Sequence, residues 1–288
     1  MILGDGGDLA DSPEASGALS VTSIERLPGV REALDPPGRP RPVRETTVER
    51  SAQPSEVRIM VRDGSAPPQL LAAVEALGGE ALDYATATPL GLDLIVTLTA
   101  RRARLASPPT YTLDDWDDPL CVSEPVTWIQ RRDGQTGALK TSVAVRGLDI
   151  ATALPMGRSL WLGGSRTPGC GVASEAVVLA LEGDLATRLI HSDQTPGASA
   201  VWSLSALPGG RTLVAATKVA SVDAPPAGWA VSGLMFILGR DGRASTPKLL
   251  DAGAPVFVNR ADTQNPHDIR LAGGIAGEGV VLHLSVGR

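Results

Sequence analysis

Residues 201–216, VWSLSALPGGRTLVAA, place a tight Leu-Pro-Gly-Gly turn between two short apolar segments. Residues 149–164, DIATALPMGRSLWLGG, have the same arrangement, and the Leu before the turn recurs after 53 residues, at Leu154 and Leu207. Proline presets φ and glycine adopts positive φ, so each copy is typical of a strand, a tight turn and a second strand. The sequence therefore predicts a recurring β-hairpin.

Two turn signals alternate along the 288 residues. The Leu-Pro/Gly signal occurs five times, starting at Leu27, Leu77, Leu154, Leu207 and Leu271. An acidic residue followed by glycine also occurs five times, out of phase with the first signal, at Asp5, Asp63, Asp133, Glu182 and Asp241. Two hairpins per period predict a four-stranded antiparallel unit, and a period of ~40–50 residues is typical of a propeller blade. We predict an all-β protein, a single β-propeller domain of five blades over residues 1–288.

One part of the chain fits this period less well. The repeat is clearest over residues 126–288 and weaker over 30–125, and the 77 residues from Leu77 to Leu154 predict an insertion or a further blade. Residues 68–79 are rich in helix formers and end in two glycines that suit a helix C-cap. A small α/β insertion near residues 65–100 is therefore the alternative to strands in this part.

The two ends of the chain predict how the ring closes. Residues 1–7 match residues 236–242, so the chain opens on the second hairpin of a unit, and it ends after the first hairpin of one. Pairing Met1–Gly7 with the C-terminal strand would complete a blade and remove open strand edges. The alternative is a disordered tail, because residues 4–17 are rich in Gly, Asp, Ser and Pro.

The alternating Asp-Gly and Leu-Pro-Gly turns resemble the propeller repeats of bacterial cell-surface and lipoprotein-type proteins. The resemblance is best over residues 126–288, and Ala215-Ala216 departs from the Ala-Gly or Gly-Gly pair of those repeats. It implies the propeller fold and, more loosely, a scaffold or binding role.

Composition narrows the partners. A net charge of -6 argues against nucleic acid and anionic membrane surfaces. The longest apolar segments fall short of a membrane span of about 18 residues, and the chain starts without a secretory signal. We expect a cytoplasmic protein from the sequence as it stands, or a cell-surface or secreted one if a leader has been removed. Cys121 and Cys170 form no C-x-x-C motif and there are only three histidines, so neither a metal nor another cofactor is predicted.

Candidate binding residues follow from the propeller architecture, because inner strands of successive blades meet at the mouth of a central channel. If the inner strands are those before the Leu-Pro/Gly turns, the groups near the axis are Glu25, Asp149, Trp202, His267 and Asp268. His267 beside Asp268 suits a base, a ligand or a hydrogen-bond relay, and the alternative is a structural hydrogen bond.

Three functions remain open at this point. The prediction is a non-catalytic scaffold that binds another protein, since no catalytic constellation stands out. The alternative is a carbohydrate-active propeller, either a lectin or a glycoside hydrolase that uses Glu25, Asp149 and Asp268 around the axis. A third is one module, or half, of a larger propeller assembly.

Overall fold

Nineteen β-strands form the regular structure of the residues that the computed structural model describes. These residues are 19–31, 33, 36–37, 44–76, 79–103, 123–167, 173–195, 197–219, 231–250, 255–265 and 267–287. Within these ranges there is no α-helix, and one short 3-10 turn, Pro208–Gly210, lies between β13 and β14.

In chain order the strands are β1 Leu19–Leu27, β2 Arg44–Arg50, β3 Glu56–Asp63, β4 Gln69–Glu75, β5 Leu82–Leu90, β6 Asp93–Ala103, β7 Ser123–Asp133, β8 Leu139–Arg146, β9 Leu148–Met156, β10 Ser159–Arg166, β11 Glu175–Leu181, β12 Thr187–Ser192, β13 Ala198–Leu207, β14 Arg211–Val219, β15 Val231–Leu238, β16 Lys248–Leu250, β17 Val256–Asp262, β18 Ile269–Ile275 and β19 Glu278–Val286.

These strands form five antiparallel sheets, which are the blades of a β-propeller. Blade 1 is β2-β3-β4, blade 2 is β5-β6-β7-β8, blade 3 is β9-β10-β11-β12, blade 4 is β13-β14-β15-β16 and blade 5 is β17-β18-β19-β1, each written from the axis outward. The innermost strands of blades 2 to 5 contact one another in turn, and β2 contacts β5. The predicted five-bladed propeller is confirmed.

Blades pack face to face through apolar side chains. Four buried clusters lie between blades 1 and 2, 2 and 3, 3 and 4, and 4 and 5. Side chains along β10 alternate between two of them, because Leu160 and Leu162 face blade 2 while Trp161 faces blade 4. A blade buried on both faces therefore needs continuous apolar segments in its middle strands, as residues 160–164 and 175–181 show.

The ring closes by pairing of strands from the two ends of the chain, as predicted. β1 is the outermost strand of blade 5 and pairs with β19, with Leu19 opposite Val286 and Leu27 opposite Gly279. Leu19 is buried in the cluster between blades 4 and 5, and Val21 packs against it. The strand that closes the ring is thus Leu19–Leu27, while Met1–Gly7 lies outside the described residues.

Blade 1 differs from the other four, because only three strands of it are described. Arg50, at the end of β2, donates hydrogen bonds to the carbonyl oxygens of Leu82 and Asp83 at the start of β5, at 3.2 and 2.6 Å. β2 therefore runs antiparallel to β5. In contrast, β9 runs parallel to β5, because the chain reverses direction four times between these two strands. By direction, β2 corresponds to the second strand of the other blades, and it takes the innermost position here.

The described residues between β1 and β2 include two that lie against blade 5. The Ala33 amide donates to the Gly273 carbonyl at 2.9 Å, and the Asn259 side chain donates to the Ala33 carbonyl at 2.9 Å. Arg270 donates to the Pro37 carbonyl at 3.0 Å. These described residues are therefore held to blade 5 by polar contacts.

Some of the turn signals coincide with hairpin turns in the structure and others do not. The acidic-Gly signals at Asp63, Asp133, Glu182 and Asp241 all mark hairpin turns, between β3 and β4, β7 and β8, β11 and β12, and β15 and β16, while Asp5 lies outside the described residues. Of the Leu-Pro/Gly signals, those at Leu154 and Leu207 mark inner hairpins. Leu27 ends β1, Leu271 lies inside β18, and Leu77 lies outside the described residues. The long interval from Leu77 to Leu154 contains the whole of blade 2, and the inner hairpin of this blade has the turn sequence Pro89-Leu90-Gly91.

The α/β insertion proposed near residues 65–100 is wrong. Residues 69–75 form β4, which pairs with β3 from Glu56 opposite Glu75 to Val61 opposite Gln69. Val74 and Ala76 are buried between blades 1 and 2. Helix propensities differ by less than about 1 kcal/mol per residue, so burial and a sheet ladder override them.

Removing residues 1–27 tests ring closure. Without β1, β19 presents an open edge and the cluster between blades 4 and 5 loses Leu19 and Val21. We expect a melting temperature lower by several degrees, since each kcal/mol shifts it by about 2–4 °C at this size, together with aggregation. A peptide of residues 19–27 added in trans should restore stability, and a peptide of the same residues in scrambled order should not. A truncated protein that melts with the full chain would contradict closure by β1.

A methyl group at Gly163 tests the packing of blade 3 on blade 4. A Cβ there would lie 2.7 Å from Val201 Cγ1 and 2.8 Å from Thr152 Cγ2. Gly163→Ala should lower the unfolding free energy by about 1–3 kcal/mol, measured by denaturant titration. Gly183→Ala is the matched control, since a Cβ there meets nothing within 4 Å. Equal stability of the two variants would contradict the close approach of the blades.

Candidate functional site

A central channel lies where the innermost strands of all five blades meet. It encloses a cavity of about 510 Å³, and each of β2, β5, β9, β13 and β17 contributes lining residues. An innermost strand pairs with its sheet on one side only, so its second edge turns backbone N–H and C=O groups toward the axis. The backbone groups alone therefore make the wall of the channel polar.

β-bulges interrupt the innermost strands of four blades. The register shifts between Leu82 and Tyr84 in β5, Ile150 and Thr152 in β9, Val201 and Ser203 in β13, and Val258 and Ala261 in β17. A bulge re-aims a side chain away from the two sheet faces. Three residues in these bulges line the channel, namely Ala151, Trp202 and Arg260. Bulges thus bring an indole and a guanidinium to the axis.

Trp202 is held in place from two directions. Its Nε1–H donates to Thr217 Oγ1 on β14 at 2.8 Å. Its ring meets that of Tyr84 edge to face, with centroids 5.5 Å apart and an interplanar angle of 64°. Tyr84 belongs to blade 2 and Trp202 to blade 4, so this contact passes across the channel over blade 3.

The rest of the lining is small and rich in hydroxyl groups. The hydroxyl side chains are Thr46, Thr47, Thr86, Thr88, Thr152, Ser203 and Ser205. Among the described residues that line the channel there is no Asp, Glu or Lys, and Arg260 is the one charged group. The site is suited to hydrogen bonding with a small polar molecule that has an apolar face for Trp202.

Two of the five site residues predicted from the sequence lie on innermost strands, and the other three belong to blade 5 outside its innermost strand. Trp202 lines the channel, and Asp149 lies buried at the start of the innermost strand β9. Glu25 lies on β1, the outermost strand of blade 5, and His267 and Asp268 precede its second strand, β18. The expectation that all five lie near the axis is therefore wrong for Glu25, since β1 took the place of an inner strand in the prediction.

Glu25 and Asp268 instead lie on either side of His283, on β19. His283 Nδ1 is 2.8 Å from Asp268 Oδ1, and Nε2 is 3.6 Å from Glu25 Oε2. His267 is exposed, and its backbone N–H donates to Asn265 Oδ1 at 3.0 Å. Both carboxylates are at least half exposed, so this group links the outer strands of the closing blade.

The sequence reasoning missed the hydroxyl lining and Arg260. A signal for part of it exists, because Thr86 and Thr88, and likewise Ser203 and Ser205, alternate along a strand where aliphatic residues would otherwise pack. Arg260 carried no such signal, since its position depends on a bulge that spans Asn259 and Arg260.

A buried ion pair lies beside the connection from blade 3 to blade 4. Lys218 Nζ is 2.9 Å from Asp193 Oδ2, and their side chains are 10% and 8% exposed. Burial favours a raised pKa for Asp193, but hydrogen bonds from Thr195 and Lys218 outweigh it and hold that pKa below its usual value. Burial also lowers the pKa of nearby His191, whose ring packs on Phe236. These groups lie outside the channel lining and fix the inter-blade connection.

Among the described residues, no helix is long and apolar enough to span a membrane. No group of three or more His, Cys, Asp or Glu side chains is placed to hold a metal ion in this part of the chain.

Comparison with known proteins finds no matching family model and no matching curated sequence. Solved structures with a similar fold include a mannose phosphorylase from Leishmania mexicana in complex with a phosphate ion, with TM-score 0.49, 10% identity and coverage of 92% of this chain and 85% of that chain. A GDP-Man-dependent mannosyltransferase from Leishmania mexicana has TM-score 0.46, 12% identity and coverage of 83% and 79%. A hypothetical protein from Leishmania major has TM-score 0.46, 10% identity and coverage of 93% and 87%. Identities this low transfer no activity to this chain.

Asp193→Asn tests the buried pair through pH. Because the folded protein lowers the pKa of Asp193, its contribution is present above the unfolded value, about 3.9, and is lost as pH falls through the folded value. The difference in unfolding free energy between wild type and variant should therefore shrink from pH ~5 to pH ~2. The same substitution at exposed Asp184 controls for the loss of one negative charge. A difference that stays constant over this range would contradict the role given to Asp193.

Proposed function

We propose that the protein is a carbohydrate-binding propeller that holds a small sugar in its central channel. The observation that carries the proposal is the lining itself, to which four innermost strands contribute residues with hydroxyl side chains and Trp202 contributes an indole ring. The cavity of about 510 Å³ lies within the range of roughly 300–1,000 Å³ typical of small-ligand sites.

Sugars match this lining in two ways. Their hydroxyl groups both donate and accept hydrogen bonds, as do the Thr and Ser side chains and the free strand edges of the channel. Their ring C–H groups form an apolar face that packs on an aromatic ring, and the Thr217 hydrogen bond engages the Trp202 ring at its edge and not at a face. Because Trp202 is already held by Thr217 and Tyr84, little side-chain entropy is lost on binding.

Binding is better supported than hydrolysis. Glycoside hydrolysis by a carboxylate pair needs two carboxyl groups roughly 5–9.5 Å apart on either side of the bond. In the described part of the channel lining there is neither Asp nor Glu, and Glu25, on the outermost strand of blade 5, and Asp268, directly before its second strand, lie on either side of His283. The scaffold function predicted from the sequence, with a protein partner, stays a prediction that the channel does not address.

A glycan array followed by titration calorimetry tests the proposal. We expect saturable binding of at least one neutral sugar, and Trp202→Ala should weaken it about tenfold, which corresponds to about 1.4 kcal/mol. Phe257→Ala is the control, since Phe257 is an exposed aromatic residue on β17 that does not line the cavity. Absence of sugar binding by the folded protein would overturn the proposal, and unchanged binding by Trp202→Ala would place the site elsewhere.

A further inference from the structure

We infer that Tyr84 and Trp202 close one end of the channel, so that the protein binds the terminal unit of a glycan, or a free small sugar, and excludes internal segments of a chain. This inference rests on the proposed function. It adds a restriction on the class of ligand, which follows from where the two rings meet.

The aromatic contact lies at one end of the cavity. Lining residues of β5 begin directly after Tyr84, at Ala85, and continue to Thr88. Those of β13 begin at Trp202 and continue to Ser205. Both strands run from the aromatic pair toward their inner hairpins, so the cavity extends from the two rings toward the end of the propeller where those hairpins lie. The rings therefore form its floor.

Three blades hold this floor in place. The hydrogen bond from Trp202 to Thr217 fixes the indole within blade 4. The start of β5 is fixed from blade 1, because Arg50 donates to the carbonyl oxygens of Leu82 and Asp83, directly before Tyr84. Each ring thus has support besides the ring contact, and closure does not depend on one weak interaction.

A second cavity lies on the other side of Tyr84. It has a volume of about 220 Å³ and is lined by residues of β2, β3 and β5, including Arg50, Asp83 and Tyr84. It shares Val48 and Ala85 with the channel lining. Tyr84 lines the smaller cavity and is absent from the channel lining, and its ring contacts the channel residue Trp202, which places the tyrosine side chain between these two spaces.

The closed end restricts how a polysaccharide can enter the channel. An internal segment of a polysaccharide needs an exit at both ends of its site, whereas a chain end needs only one opening. The channel offers the opening at the hairpin end, and the aromatic floor blocks the other. A sugar unit that enters first comes to rest on Trp202, and later units extend back through the mouth.

A series of linear oligosaccharides tests the floor. The probes are glucose, mannose and galactose and their linear oligomers of up to six units, titrated calorimetrically into the full chain. In the wild type, affinity should stop rising beyond about two units, the length that a cavity of this volume holds. Tyr84→Ala joins the two cavities and should raise the affinity for oligomers of three or more units at least about fivefold over that of wild type. Tyr84→Phe retains the ring and should behave as wild type, and the melting temperature of each variant reports folding.

The outcomes separate this inference from the function on which it rests. If the wild type binds neither these sugars nor any neutral sugar of the glycan array, the proposed function fails and the inference fails with it. If it binds them but affinity rises steadily from two to six units, or the folded Tyr84→Ala protein gains nothing for longer oligomers, the closed floor is wrong and sugar binding stands. An oligomer capped at both ends that binds as tightly as the uncapped one would also overturn recognition of chain ends.

Discussion

The pairing of β1 with β19 is the contact on which the channel depends. Four of the five blade junctions contain a buried apolar cluster, and the described residues of blades 5 and 1 have none between them. On the blade 5 side of that junction, β1 completes the blade, and the Ala33 and Pro37 carbonyls after it accept hydrogen bonds from blade 5. One stretch of chain thus completes the last blade and then crosses to the first. A strand that precedes blade 1 in the chain thus belongs to blade 5, and this exchange links the first and last blades of the ring.

Because β1 completes blade 5, blade 1 has only three described strands, and this changes the arrangement of the strands at the axis. β2 occupies an innermost position with the direction of a second strand, so the ring of innermost strands is not five-fold symmetric. The bulge side chains also differ from blade to blade, with Ala151 in blade 3, Trp202 in blade 4 and Arg260 in blade 5. A symmetric propeller can repeat one pocket on every blade, whereas this arrangement offers one site on the axis.

The sequence predicted the architecture better than the site, for a physical reason. Strand pairing and turns follow local chemistry, so acidic-Gly turns such as Asp133-Gly134 and the Leu207-Pro208-Gly209-Gly210 hairpin were found. The hairpin at Pro89-Leu90-Gly91 was missed because the same residue types occur in another order, and residues 69–75 looked helical because propensity ignores the buried neighbours of Val74. Trp202 was placed near the axis because its strand lies next to such a turn. Glu25 was misplaced because nothing local distinguishes an outermost strand from an inner one.

Hydroxyl groups in this protein serve two purposes, and their surroundings distinguish them. Thr99 and Thr127 are fully buried in blade 2, 2.7 Å apart, and Thr127 donates to the Leu148 carbonyl while Thr99 accepts from the Ile150 amide, so they tie blade 2 to β9. Thr88 and Ser205 lie on strands whose second edge faces the channel, where backbone donors and acceptors must also be satisfied. Water can satisfy them all, and an apolar ligand cannot. Under the proposed function, a sugar would replace that water hydroxyl for hydroxyl, and Trp202 would provide the apolar contact that water lacks, so the net gain on binding would arise mainly at the one aromatic residue among the described lining residues.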